Sequence, residues 1–297
     1  GAHENDLNQT ITRTIVVTNP DGTKQTIPQA AKIYRNATYD DVTGTVTYGE
    51  WSTGDWKEFS PAEIKGYTVS EKVVPAVEVK NGQQDETVNI TYTANEQTGI
   101  ISYQDTADNE IGSTTITGKT GETITVTPEV PAGWEIVPGQ DIPATVTATA
   151  DGIPTVVIKI KHSTTNVDHT NPVPDGEKTV TGSVINGAHE NDLNQTITRT
   201  IVVTKPDGTK STEVQTAKLY RDASYDNVTG AVTYGEWSTG SWKEFSPAEI
   251  KGYTASEKVV PAVEVKNGQQ DETVSITYIA NEQRGIISYQ DTAGNEI

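Results

Sequence analysis

Along TITRTIVVT (10–18) the side chains alternate, so Ile11, Arg13, Ile15 and Val17 share one face of an extended strand. NPDG (19–22) supplies turn chemistry and TKQTIPQAAKIYR (23–35) returns, which predicts a β-hairpin. Pro28 has no N–H to give a ladder, so the returning strand belongs at a sheet edge or a bulge. TGTVTYGEW (43–51) and DWKEF (55–59) predict a second hairpin across STG. SPAEI (60–64) has the pattern of one helical turn, with Ser60 as N-cap, Pro61 at the first position and Glu63 at the third. The stretch 66–94 predicts a turn at Asn81-Gly82 and a strand near 87–93. No segment keeps a 3.6-residue apolar period, so long helices are not expected.

A different pattern starts near Gly99. GIISYQDTADNEIG reads as strand, acidic turn, strand, and ATVTATADGIPTVVIKIKH (144–162) as a hairpin over Ala150-Asp151-Gly152. STTNVDHTNPVPDGEKTV (163–180) loses periodicity and gathers Pro, Asn, Asp and Thr, as a linker or extended lead-in does. The opening then recurs: GAHENDLNQTITRTIVVT stands at Gly1 and again at Gly187, and only 16 of the 111 positions from there to Ile297 differ. The second copy has Val214 where the first has Pro28, so the edge requirement is not strict. A period this long repeats whole domains rather than solenoid turns. The chain starts and stops inside a repeat and reads as a fragment of something longer. The strands opening at 285–297 should, if ordered, borrow partners from the preceding domain or a neighbouring molecule.

Composition narrows the class. Apolar residues make up 33% of the 297, with two Phe and no Met, so small β-domains with thin cores are expected. No cysteine occurs, which excludes disulfides, thiolate chemistry and Cys-ligated zinc. No run of 18 apolar residues is present. A net charge of −19 argues against nucleic acid as a partner and against contact of this segment with an anionic membrane.

Two β-modules in alternation, with this wording, resemble the repeats of mucus-binding surface proteins of lactic-acid bacteria. The motifs GIISYQDTADNEIG, TGKTGETI, PEVPAGWEIV and VVIKIKH in 99–162 resemble the MucBP domain. TRTIVVT, PDGT, YGEWSTG and IKGYT in 10–93 and 196–279 resemble the larger companion domain of the same repeats. The resemblance implies a mainly β protein, an elongated tandem array of small β-domains of β-grasp (ubiquitin-like) type with few short helices. The implied organisation is a first companion domain at 1–95, a MucBP-like domain at 96–162, a linker or lead-in at 163–180, a second companion domain at 181–281, and the start of a second MucBP-like domain at 282–297. It also implies an extracellular adhesin, anchored to the bacterial cell wall through a region outside this segment, that holds host mucin glycoproteins or their glycans.

The residues offer little for catalysis. His3 and His189 are one repeat position, His162 and His169 flank the aperiodic segment, and no helical His pair or serine elbow accompanies them. GSTTITGKTG (112–121) has the wrong glycine spacing and no following helix for a phosphate loop. No cofactor is required on this reading, and calcium is a possible ion. Asp105, Asp108, Asn109 and Glu110 could supply its oxygens, although their spacing is not that of an EF-hand and Gly294 replaces the matching Asp in the second copy. Aromatic rings are the remaining lead, because a pyranose face stacks on an exposed ring. Trp51 and Trp56 flank a tight turn and recur as Trp237 and Trp242, where core packing competes with a platform role; Trp134 follows Pro131 and Gly133 in an apparent loop. The reading is therefore a non-enzymatic adhesin with repeated weak glycan sites. Its alternatives are a protein-binding module, for immunoglobulin or another host protein, and a purely structural stalk.

Overall fold

The computed structural model describes residues 2–297 and is mainly β. It divides into two compact units, Gly1–Val130 with Ile136–Ile160 and Pro131–Glu135 with Lys161–Ile297.

The first unit opens on a single helical turn, α1 (Glu4–Leu7), and continues as β1 (Asn8–Thr18), β2 (Lys24–Tyr34), β3 (Ala37–Tyr39), β4 (Val46–Tyr48), β5 (Gly54–Trp56), β6 (Tyr67–Val69), β7 (Val77–Val79) and β8 (Glu86–Ala94). Its main sheet has the order β2-β1-β8-β6, with β1 antiparallel to β2 and parallel to β8. A hairpin whose first strand is joined by a later parallel strand is consistent with a β-grasp sheet. A parallel return needs a long crossover, usually a helix; here residues 35–85 fill that role with two short ladders, β3–β4 and β5–β7. The alternation of β1 holds: Ile11, Ile15 and Val17 are buried, and Arg13 between them is 1% exposed. Ile11 joins Ala31, Ile33, Trp56 and Val79 in one cluster, and Ile15 and Val17 join Val74 and Ile90 in another. Pro28 lies opposite Thr14 on the edge strand β2, as a residue without an N–H must.

Three local expectations fail. Residues 43–51 and 55–59 do not pair with each other: β4 pairs with β3, and β5 with β7. The pull is burial, since β5 must place Trp56 under the main sheet, where its indole N–H donates to the Ile11 carbonyl at 3.1 Å. Residues 60–64 form no helical turn; the segment is irregular and its Ala62 carbonyl accepts the Tyr92 hydroxyl. The predicted hairpin over 150–152 is reduced to the bridge Thr149–Gly152, its two arms joining different sheets.

Those arms are β13 (Thr145–Thr147) and β14 (Val156–His162), preceded by β9 (Glu96–Gln104), β10 (Glu110–Lys119), β11 (Thr123–Thr125) and β12 (Trp134–Ile136). β14 lies parallel to β9 in the sheet β10-β9-β14-β12, and β13 pairs with β11. The arrangement repeats, on a smaller scale, that of β1, β2 and β8.

In the second unit β15 (Thr164–Val167) and α2 (Glu190–Leu193) precede β16 (Asn194–Thr204), β17 (Lys210–Tyr220), β18 (Ala223–Asp226), β19 (Val232–Tyr234), β20 (Gly240–Trp242), β21 (Tyr253–Ala255), β22 (Val263–Val265) and β23 (Glu272–Ala280). The sheet β17-β16-β23-β21 keeps the first copy's register pair for pair. The segment 163–180 is not a bare tether. β15 adds to β18 and β19, and Val167 and Val173 enter a buried cluster with Ile185, Ala188, Leu193 and Ala223. Its apolar residues are too few and too irregularly spaced to signal this in sequence. Residues 281–289 carry no strand, unlike their counterpart β9; Ile286 is 91% exposed, and the sole pairing is the local bridge Gln290–Glu296. The borrowing of partners from the preceding domain is not seen for residues 285–297.

Candidate functional site

The loop 60–66 runs from the second ladder back to the main sheet. Its carbonyl groups are held by the Tyr92 hydroxyl at Ala62, the Tyr67 N–H at Ile64 (3.1 Å) and the Asn95 N–H at Gly66 (2.8 Å). Gly66 turns the chain at φ +84°, a left-handed conformation that favours glycine. The result is a cavity of about 820 Å³ bounded by Pro61, Glu63, Lys65, Tyr67, Lys72 and Tyr92. The second copy repeats it at about 800 Å³ with Pro247, Glu249, Lys251, Tyr253, Lys258 and Tyr278. Both volumes lie in the range of small-ligand sites. Two ammonium groups and one carboxylate line each cavity, which leaves the second locally positive in a chain of net charge −19. In the first copy Lys65 pairs with Asp151, a contact between exposed side chains that adds little stability. Tyr rings supply apolar faces and a phenolic hydroxyl, and lysines supply charged donors. That set suits a hydroxyl-rich ligand, with or without an acid group.

The sequence reasoning missed these residues. The signal was present: IKGYT recurs intact with its tyrosine and lysine, but nothing in one strand shows that Tyr92 and Lys72 converge on it.

The tryptophans fare unequally. Trp56 and Trp242 are each 1% exposed and donate to the carbonyls of Ile11 and Ile197, so they are core residues and not ligand platforms. Trp51 and Trp237 are half-buried. Their faces meet Arg35 and Arg221 at 4.7 Å, with Tyr48 and Tyr234 at 3.8 Å from the same guanidinium groups. Trp134, expected to project from a loop, opens β12 half-buried with its ring edge-on to His162 at 4.4 Å.

The acidic turn closes on itself. Asp105 accepts the N–H groups of Ala107 and Asn109 and the Asn109 amide, and these bonds, the Asn109 side chain foremost, hold its carboxyl below the usual range. Asp108 pairs with Lys159, and Glu110 accepts the Ser102 hydroxyl at 3.1 Å. A calcium ion there would have to displace the Lys159 ammonium. Asp108 has φ +67° and Gly294, its equivalent, +86°, so the position selects for a left-handed turn.

The Muc B2-like domain family matches residues 2–96 and 188–282, the same span of each copy. No curated protein matches the chain. Among solved structures, the mucin-binding domain of Spr1345 from Streptococcus pneumoniae is 31% identical over 29% of this chain and 91% of its own, with a TM-score of 0.28. The type 2 repeat of the mucus binding protein MUB from Lactobacillus reuteri is 26% identical over 62% of this chain and all of its own, at 0.32. Mub-RV is 19% identical over 63% and 100%, at 0.40. With the family covering both copies from helical turn to last strand, the chain belongs to the Muc B2-like domain family.

Proposed function

We propose that this chain is a non-enzymatic segment of a bacterial cell-surface adhesin, anchored to the cell wall elsewhere in the protein, that binds mucin-type glycoproteins through their glycans. The observation that carries this reading is the duplication, within two Muc B2-like domains, of one cavity lined by tyrosine and lysine. Tyr67 and Tyr253 offer a ring for a pyranose face; Lys72 and Lys258 offer donors for hydroxyl or acid oxygens. Two weak sites on one chain gain through linkage what each lacks alone. A glycan array probed with the full chain tests the proposal. Binding to mucin-type oligosaccharides that Tyr67→Ala with Tyr253→Ala removes is expected. Binding to mucin that survives complete deglycosylation would overturn the glycan reading in favour of a protein partner, and no binding in either format would leave a structural stalk.

A further inference from the structure

We propose that Asp168, His169 and Asp222 form a site for a borderline divalent cation, with zinc the ion that best fits the donor set. Asp168 and His169 directly follow β15, Asp222 directly precedes β18, and the β15–β18 ladder ends at the pair Val167–Ala223, so the sheet itself brings the three together. His169 Nδ1 lies 2.8 Å from Asp222 Oδ1 and 3.6 Å from Asp168 Oδ1, and one donor atom of each residue falls within 4.8 Å of the others. Imidazole and carboxylate bind zinc at about 2.0–2.2 Å, which sets neighbouring donors about 3–3.5 Å apart. The observed spacings bracket that range.

The donors are also held in place. Asp168 accepts the N–H and hydroxyl of Thr170 at 2.8 and 2.6 Å. The His169 ring stacks on Tyr220 at 4.0 Å and 15°, and the Asn194 amide donates to the His169 carbonyl at 2.9 Å. Such outer contacts orient metal ligands and are part of a site's affinity. An imidazole disfavours calcium and magnesium, which take oxygen, and favours zinc or a neighbour in its series. The two carboxylates are more than half exposed, leaving the remaining coordination positions to water. The repeat supplies an independent observation: where the second copy has Asp222, the first has the neutral Asn36. On binding, a neutral His169 ring carries its proton on Nε2 and gives the Nδ1 lone pair to the ion, which replaces the present hydrogen bond to Asp222. The ion then ties the lead-in segment to the second repeat.

Isothermal titration of zinc chloride into the full chain, in a non-chelating buffer, is expected to show a site that His169→Gln abolishes. Asp222→Asn should weaken it at least about tenfold, and His162→Gln should leave it intact. Zinc should also shift the His169 ring resonances of the unsubstituted protein, a readout that needs no variant to fold. Equal zinc uptake by wild type and His169→Gln, or unmoved His169 resonances at saturating zinc, would overturn the proposal.

Discussion

Arg13 and Arg199 are the most demanding residues of the two repeats. Each lies buried on the apolar face of a central strand and, among the described residues, forms no ion pair. The charge of Arg13 is met by Gln29 Oε1, which accepts from Nε and Nη2, and by the carbonyls of Pro75 and Lys57 at 2.9 and 2.8 Å, with Trp56 beneath at 5.3 Å. Removing Gln29 strands a buried cationic donor, a loss of about 1–3 kcal/mol. Gln29→Ala should therefore lower the unfolding free energy measured by chemical denaturation by that amount, and an unchanged value would show that water replaces the amide. Asp226 gives a pH prediction. Burial pulls its pKa upward, but the N–H groups of Thr229 and Val228 and the His162 ring outweigh this, and it lies below the ordinary value. A depressed carboxylate contributes stability above its unfolded pKa and loses it as pH falls through the folded one. Asp226→Asn should thus be less stable than wild type at pH 7, and thermal melts should show the gap closing below about pH 4.

Long strands with strict alternation were legible in the sequence, and three-residue strands were not. β1, β2 and the turn between them follow from period-two patterning and NPDG alone. β3, β4, β5 and β7 are too short to carry a period; they pair across up to 25 residues according to where Trp56 and Val79 can be buried. The candidate site shares this limit, because Tyr67 and Tyr92 meet through the pairing of the three-residue β6 with β8. Chemistry written within one turn, such as the Asp105 loop, was legible as a turn yet ambiguous as a metal site until Lys159 was seen beside it. The edge position of Pro28 gives a test at this scale. Val214 holds the same register on the edge strand β17, so Val214→Pro should cost well under about 1 kcal/mol. Thr200→Pro, opposite it on the central strand β16, should cost about 3 kcal/mol or more. Chemical denaturation of the two variants separates them, and equal losses would refute the strand order.

Repetition sets the behaviour of the whole chain. Nearly identical wording from Gly187 onward yields the same sheet, the same buried arginine and a matching cavity, so the two Muc B2-like domains present two similar sites, with Lys65 paired to Asp151 in the first. Linked sites raise apparent affinity by about 10²–10⁴ over one alone when both can engage. Surface plasmon resonance on dense immobilised mucin compares the wild type with Tyr67→Ala, Tyr253→Ala and the double variant. Each single variant should dissociate at least about tenfold faster than wild type, and the double variant should not bind measurably while keeping the wild-type melting temperature. Wild-type binding by the folded double variant would contradict the account.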